Sequence, residues 1–168
     1  MDRASARLCD KVPSFQWRIP CREWTPASLV ACRAHGNAAS RYFFRATAPI
    51  LSFEPDQVPP ANSIPPGGPA CDYALLGTTP GPVPLTLVEL KGGHVAHAVE
   101  QLDSTLRTIQ NTGIRTSSCH AYIVRSGHGS ITRTSLKNEK EKFKRNNCWL
   151  RLCRPNTPES AEPFPHLT

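Results

Sequence analysis

Two short apolar runs separated by a dense turn constrain this chain more than any other feature. Residues 71–101 read CDYALLGTTPGPVPLTLVELKGGHVAHAVEQ. Residues 73–76 and 85–90 are apolar and of strand length, and Gly77, Pro80, Gly81, Pro82 and Pro84 lie between them. This punctuation predicts a β-hairpin. Leu85, Leu87, Val88 and Leu90 occupy both faces of the second run, as in a central strand covered on both sides. Charge sits only at the ends, where Asp72 opens the first run and Glu89 and Lys91 close the second. Alternate side chains of a strand share a face, so Glu89 and Lys91 point the same way. Folding about Pro80 and Gly81 sets residue 72 opposite residue 89, about 5 Å away at Cβ. Asp72, Glu89 and Lys91 are therefore expected to form one cluster at a strand end. Paired carboxylates need a compensating charge, and a hard divalent cation such as Mg²⁺ suits an oxygen site with open water positions. Lys91, a compact charge, would orient or deprotonate a water, or neutralise charge developing in the transition state. Phosphodiester hydrolysis is the chemistry such a group suits. A surface hairpin with an exposed Glu–Lys pair is the plain alternative, but unpaired charge in so apolar a strand is costly.

An Asp, a hairpin's length of chain and then Glu-x-Lys resembles the core of the PD-(D/E)xK nucleases, which include restriction endonucleases and Holliday-junction resolvases. The resemblance implies that Asp72 and Glu89 are metal ligands, joined by the Leu90 carbonyl, and that Lys91 is the catalytic lysine. Gln101 matches a glutamine that some branches carry on the following helix, where it would position the water or a phosphate oxygen. Thr105 stands where a tyrosine often follows, and Cys71 stands where a proline often precedes the aspartate. The implied fold is a single α/β domain, a mixed β-sheet flanked by helices with a restriction-endonuclease-like αβββαβ core. The implied activity is metal-dependent cleavage of nucleic acid, DNA over RNA, with Mg²⁺ or Mn²⁺ as cofactor. A homodimer or a partner subunit would supply targeting, because the chain leaves little room for a separate specificity domain. The alternative is a non-catalytic nucleic-acid-binding or interaction module that keeps the fold; paired carboxylates facing a polyanion argue against it.

At 168 residues the chain is long enough for one domain with a core. Its net charge of +7 points to an anionic partner, nucleic acid or an acidic membrane surface. No apolar run reaches membrane-spanning length, and the start, MDRASARLCDK, does not resemble a signal peptide. No membrane partner and a cytoplasmic location are expected. The 7 cysteines are odd in number and form no CxxC, which argues against a disulfide framework. Cys71, Cys119, Cys148 and Cys153 lie in apolar surroundings and are expected to act as small hydrophobes. A third reading uses Cys9, Cys21, Cys32 and His35 to hold zinc in an interaction protein.

Residues 1–20 are expected to form an N-terminal arm, 21–154 the nuclease-like domain and 155–168 a flexible tail. Phe15, Trp17 and Ile19 alternate as in a short strand or packed arm. Thr25 and Pro26 predict the start of a helix carrying Leu29, Val30, Ala31 and Cys32 to about Gly36. Residues 41–53 either pack on that helix or form the first strand. Glu23, Glu54 and Asp56 are candidates for a further acidic ligand, against solvated positions for all three. The proline-rich segment 55–69 either covers the substrate or merely connects. Val95, Ala98, Val99, Leu102, Leu106 and Ile109 form one stripe of a helix over 94–110, with Gln101 beside it, facing the cluster or bordering the core. His94 and His97, in its first turn, are either phosphate contacts or partly exposed. A buried strand at 119–124 completes a crossover unit, with His120 structural. A basic helix over 135–146 presents Lys137, Lys140, Lys144 and Arg145 either to a nucleic-acid backbone or merely to solvent; with His94 these are the expected nucleic-acid contacts. A last strand begins at Trp149, which either packs in the core or stacks on a base.

Overall fold

The hairpin is the centre of the sheet. In the computed structural model, which describes residues 6–12, 19–34, 40–57, 68–78, 80–91, 94–126 and 133–165, the elements run in the following order. Strand β1 (Ala6–Arg7) leads into a one-turn helix α1 (Leu8–Lys11), followed by β2 (Pro20–Trp24) and β3 (Leu29–Arg33). Next come β4 (Arg41–Arg45), β5 (Ile50–Phe53), a 3-10 turn at Pro55–Gln57, then β6 (Tyr73–Gly77) and β7 (Val83–Lys91). Helix α2 (Val95–Asn111), β8 (Thr116–Arg125), helix α3 (Arg133–Arg145), β9 (Cys148–Cys153) and β10 (Glu162–Pro163) complete the chain.

β6 and β7 pair antiparallel with Tyr73 opposite Val88 and Leu76 opposite Leu85, the register expected from folding about Pro80 and Gly81. Two glycines make this turn. Gly81 has φ +101°, a conformation that other residues adopt with strain. A Cβ at Gly77 would sit 2.6 Å from the Pro84 ring. A seven-stranded mixed sheet is built outward in the order β1-β2-β5-β6-β7-β8-β9. β5, β6 and β7 form an antiparallel meander, and β8 and β9 then add parallel to β7.

Alternation sends the two faces of this sheet into two cores. On one side Leu85, Leu87, Ala121 and Ile123 meet Val95, Ala98, Val99, Leu102, Leu106 and Ile109 of α2 and Phe143 of α3. The expected stripe of α2 is thus its buried face. On the other side Leu75, Val88, Leu90 and Tyr122 meet Val30, Cys32, Tyr42, Phe44 and Phe164. These belong to or adjoin a second, three-stranded sheet, β10-β4-β3. The fold is a single α/β domain, but helices α2 and α3 share one face and a small sheet covers the other. The expectation of helices flanking the sheet is corrected accordingly.

Residues 25–33 are not helical. Ser28 N–H bonds the Thr25 carbonyl at 3.1 Å and Ala27 has φ +65°, which makes Thr25 to Ser28 a tight turn with Pro26 at its second position. Proline suits that position as well as it suits a helix start. Val30 and Cys32 then point inward from β3 while their neighbours face out, because residues 41–45 offer a partner strand. Residues 41–53 form β4 and β5, two strands rather than one.

The tail is also corrected over its described part. Asn156 clamps the Phe43 backbone, accepting its N–H at 2.6 Å and donating to its carbonyl at 3.0 Å. Glu162 accepts from Tyr42 Oη at 2.6 Å, β10 pairs parallel with β4, and Phe164 is 1% exposed. One buried aromatic ring outweighs the prolines around it. Phe15, Trp17, His35, Gly36 and most of 55–69 lie outside the described residues.

Candidate functional site

Glu89 and Lys91 lie on the helix-facing side of β7, in phase with Leu85 and Leu87. Asp72 immediately precedes β6 on the neighbouring strand. Three contacts tie the group together. The Asp72 N–H donates to Glu89 Oε2 at 3.1 Å, and the Leu90 N–H donates to Asp72 Oδ2 at 2.6 Å. Lys91 Nζ lies 2.7 Å from Glu89 Oε1. The expected cluster of Asp72, Glu89 and Lys91 is therefore formed. The Leu90 side chain is buried in the opposite core, so only its backbone belongs to the group.

Glu89 is 0% exposed. Burial, followed by the nearby Asp72 carboxylate, pushes its carboxyl up to about 7, against the pull of Lys91 and the Asp72 N–H. This carboxylate is ionised at neutral pH only in part, and a cation beside it would favour the charged form. Cys71 is no rival as a nucleophile. Its thiol is buried and held well above the usual thiol range, by desolvation first and by the field of Glu89 next.

Asp72 and Glu89 bring two carboxylates together, a number that hard divalent cations commonly take from a protein. Magnesium keeps several waters and takes only one or two protein carboxylates in many sites. Among the described residues, no group of three or more His, Cys, Asp or Glu side chains is placed to hold a metal ion. The further acidic candidates stand elsewhere. Glu23 pairs with Lys11 at 3.2 Å, on a strand separated from β6 by β5. Glu54 acts electrostatically on Cys32 and Tyr73, which belong to the opposite core. Asp56 is exposed and accepts from Gln57.

Gln101 holds the chain just before Asp72. Its Nε2 donates to the Ala70 carbonyl at 2.7 Å, while its Oε1 is buried and makes no hydrogen bond among the described residues. One turn on, Thr105 Oγ1 accepts the Cys71 N–H at 3.0 Å and donates to the Gln101 carbonyl at 2.9 Å. Gln101 and Thr105 thus clamp residues 70 and 71, directly before Asp72. In the sequence Thr105 stands out only for occupying the place where a tyrosine often follows, and its bond to Cys71 was missed there. Its place one turn from Gln101 is the signal that would have found it.

His94 stands exposed at the N-cap of α2 without capping it. His97 is engaged with Glu100 at 3.4 Å. Lys137, Lys140, Lys144 and Arg145 are all exposed on α3, in the same layer as α2. Lys142 instead shares Asp103 with Arg107. Trp149 does not pack in the core. It is 50% exposed and stacks on His120, with ring centroids 5.4 Å apart. Cys21 and Cys32 lie in different cores, which separates two members of the zinc set by the thickness of the main sheet. With Cys71, Cys119, Cys148 and Cys153 they are thiols rather than half-cystines. No described helix is long and apolar enough to cross a membrane. Comparison with protein-family models, with curated proteins and with solved structures finds no match for this chain.

Proposed function

We propose that the protein is a metal-dependent nuclease that hydrolyses phosphodiester bonds, DNA in preference to RNA. The observation that carries this reading is a wholly buried Glu89 set between the Asp72 backbone and the Lys91 ammonium. A carboxylate desolvated beside a second carboxylate is a poor structural choice and a good ligand. The meander β5-β6-β7, followed by α2 and the parallel strand β8, supports the reading further, since this is the βββαβ succession of the resembled nucleases. The first helix of that core has no counterpart longer than the four residues of α1 among the described residues.

Asp72 and Glu89, with the Leu90 carbonyl, would hold Mg²⁺ or Mn²⁺. Bound there, the ion would polarise the phosphate and lower the pKa of a water. The chain's own groups do the rest. Gln101 and Thr105 fix the backbone before Asp72, so that its carboxylate is held ready at no further cost in entropy. Lys91 keeps Glu89 oriented through the 2.7 Å contact and offers positive charge where the transition state gains negative charge. The exposed cations of α3 would draw the polyanion to this layer.

The test incubates purified protein with labelled single-stranded DNA, duplex DNA and RNA, each with Mg²⁺, Mn²⁺ or EDTA, beside Lys91→Ala. Metal-dependent cleavage that Lys91→Ala loses, with folding and most binding intact, is the expected result. Undiminished cleavage by the variant removes the mechanism. Binding without cleavage by the wild type replaces the nuclease with a binding module or a subunit that works with a partner.

A further inference from the structure

Among the described residues Trp149 is the one large apolar side chain left exposed, at 50%. Its strand β9 lies beside β8 in parallel register, with Trp149 next to His120 and Arg151 next to Tyr122. Cys148 and Leu150 point into the helix-side core and Tyr122 into the other. By alternation Trp149, His120 and Arg151 therefore share the face turned away from α2 and α3. The rings of Trp149 and His120 stack across the two strands, with centroids 5.4 Å apart and planes 26° from parallel. Thr86 is the register neighbour of His120 on β7. Thr86 Oγ1 and His120 Nδ1 are both buried and make no hydrogen bond among the described residues, so they do not bond each other. The imidazole is oriented by the indole and not by the hydroxyl. Exposure rises along this row from Thr86, wholly buried, through His120 to Trp149, and the last ring stands in water at the rim of the sheet.

We propose that Trp149, backed by His120, is a stacking platform for an unpaired base of a single-stranded nucleic acid. An indole offers its π-face to any base, whereas in a duplex those faces are covered by the neighbouring bases. Cations stand before and after Trp149 to receive the backbone. Lys144 and Arg145 are exposed in the last turn of α3. The Asn146 and Asn147 N–H groups donate to the Phe143 and Lys144 carbonyls, which makes a tight turn directly into β9. Arg151, on the face of Trp149, is 54% exposed at its side chain and meets Glu162 at 3.5 Å and Tyr122 Oη at 3.4 Å, long distances for such bonds. A ring between cations, on a chain of net charge +7, fits a polyanion that carries flat rings. The platform lies across the sheet from Glu89 and Lys91 and nearer the other ends of the strands, so it holds the strand away from the cleavage group. Its use in cleavage rests on the nuclease reading of Asp72, Glu89 and Lys91; its hold on a single strand does not.

The test is anisotropy binding in EDTA across a salt series, with three labelled probes: a single-stranded oligonucleotide, an abasic one of the same length and a blunt duplex. Wild type is compared with Trp149→Ala, Trp149→Leu and Trp149→Phe. Trp149→Ala and Trp149→Leu are expected to weaken single-strand binding about fivefold to a hundredfold, with the log–log salt slope unchanged, since stacking releases no counterions. Trp149→Phe, which keeps a ring, should stay within about threefold of wild type. Binding of the abasic strand and of the duplex should be the same in all four proteins. Should Trp149→Ala fail to fold, the Leu and Phe variants decide the matter between them, one apolar and without a π-face, the other aromatic. Single-strand binding by Trp149→Leu equal to wild type overturns the platform. An equal loss on single strand and duplex overturns it too, as does a wild type that binds no single strand. Cleavage is read separately by adding Mg²⁺ or Mn²⁺. No cleavage beside a Trp149-dependent hold on single strand ends the hydrolytic reading and leaves the platform standing; cleavage without that dependence does the reverse.

Discussion

Replacing Glu89 with glutamine should make the metal-free protein more stable at neutral and alkaline pH. The carboxyl ordinarily titrates at 4.5 and is raised to about 7 in the fold. Between these values the folded chain keeps a proton that the unfolded chain has lost. The stability tied to that proton is fully present below about 4.5 and disappears as pH rises through about 7. At 1.36 kcal/mol per pKa unit the gap is worth about 3 kcal/mol. Glutamine resembles the protonated acid, is neutral throughout and still offers an acceptor to the Asp72 N–H. The assay is urea denaturation of both proteins in EDTA from about pH 4.5 to 8, reading the difference between them. His120, whose imidazole burial holds below its ordinary value, acts on both proteins and drops out of that difference. The variant should gain on the wild type by about 3 kcal/mol across the window. A difference constant to within about 0.5 kcal/mol would refute the reasoning. Mg²⁺ at about a hundred times its dissociation constant should then stabilise the wild type by about 2.7 kcal/mol at pH 8 and the variant far less.

The remaining expectations concern the supports of the site and the covering sheet. Thr105→Val leaves the buried Cys71 N–H without its acceptor and should cost about 1–3 kcal/mol in urea melts, with Thr105→Ser close to wild type; equal behaviour of the two variants would remove the clamp. Phe164→Ala should cost about 3–5 kcal/mol, and a loss below about 1 kcal/mol would return the tail to the status of a loose end. Lys137→Ala with Lys140→Ala should lower the salt slope of duplex binding by about 1.8, while the same exchange at Lys11 and Glu23 leaves it unchanged.

Much of the site was legible in the chain because its determinants are local. The glycines and prolines from Gly77 to Pro84 fix where the hairpin turns, and the period of two then fixes that residue 72 meets residue 89. The stripe from Val95 to Ile109 needs only helical spacing, and the basic helix α3 is evident in the same way. Where a residue's role depends on its distant partner, the sequence was silent or misleading. Gln101 reads as facing the cluster or bordering the core, and its amide in fact donates to the Ala70 carbonyl. Trp149 reads as core or ligand platform, and among the described residues its strand β9 is the last of the sheet, with the ring half exposed on His120.

The sequence by itself determined the hairpin, its register, the helix that follows and the meeting of Asp72, Glu89 and Lys91, since each rests on spacing along one short stretch. Only the tertiary structure decided that residues 29–33 and 162–163 join a second sheet, because Thr-Pro suits a turn and a helix start equally and a partner strand breaks the tie. It alone brought Trp149 onto His120 and Thr105 onto Cys71. Contacts between segments remote in the chain follow from which buried surfaces find each other, and no local period encodes that choice.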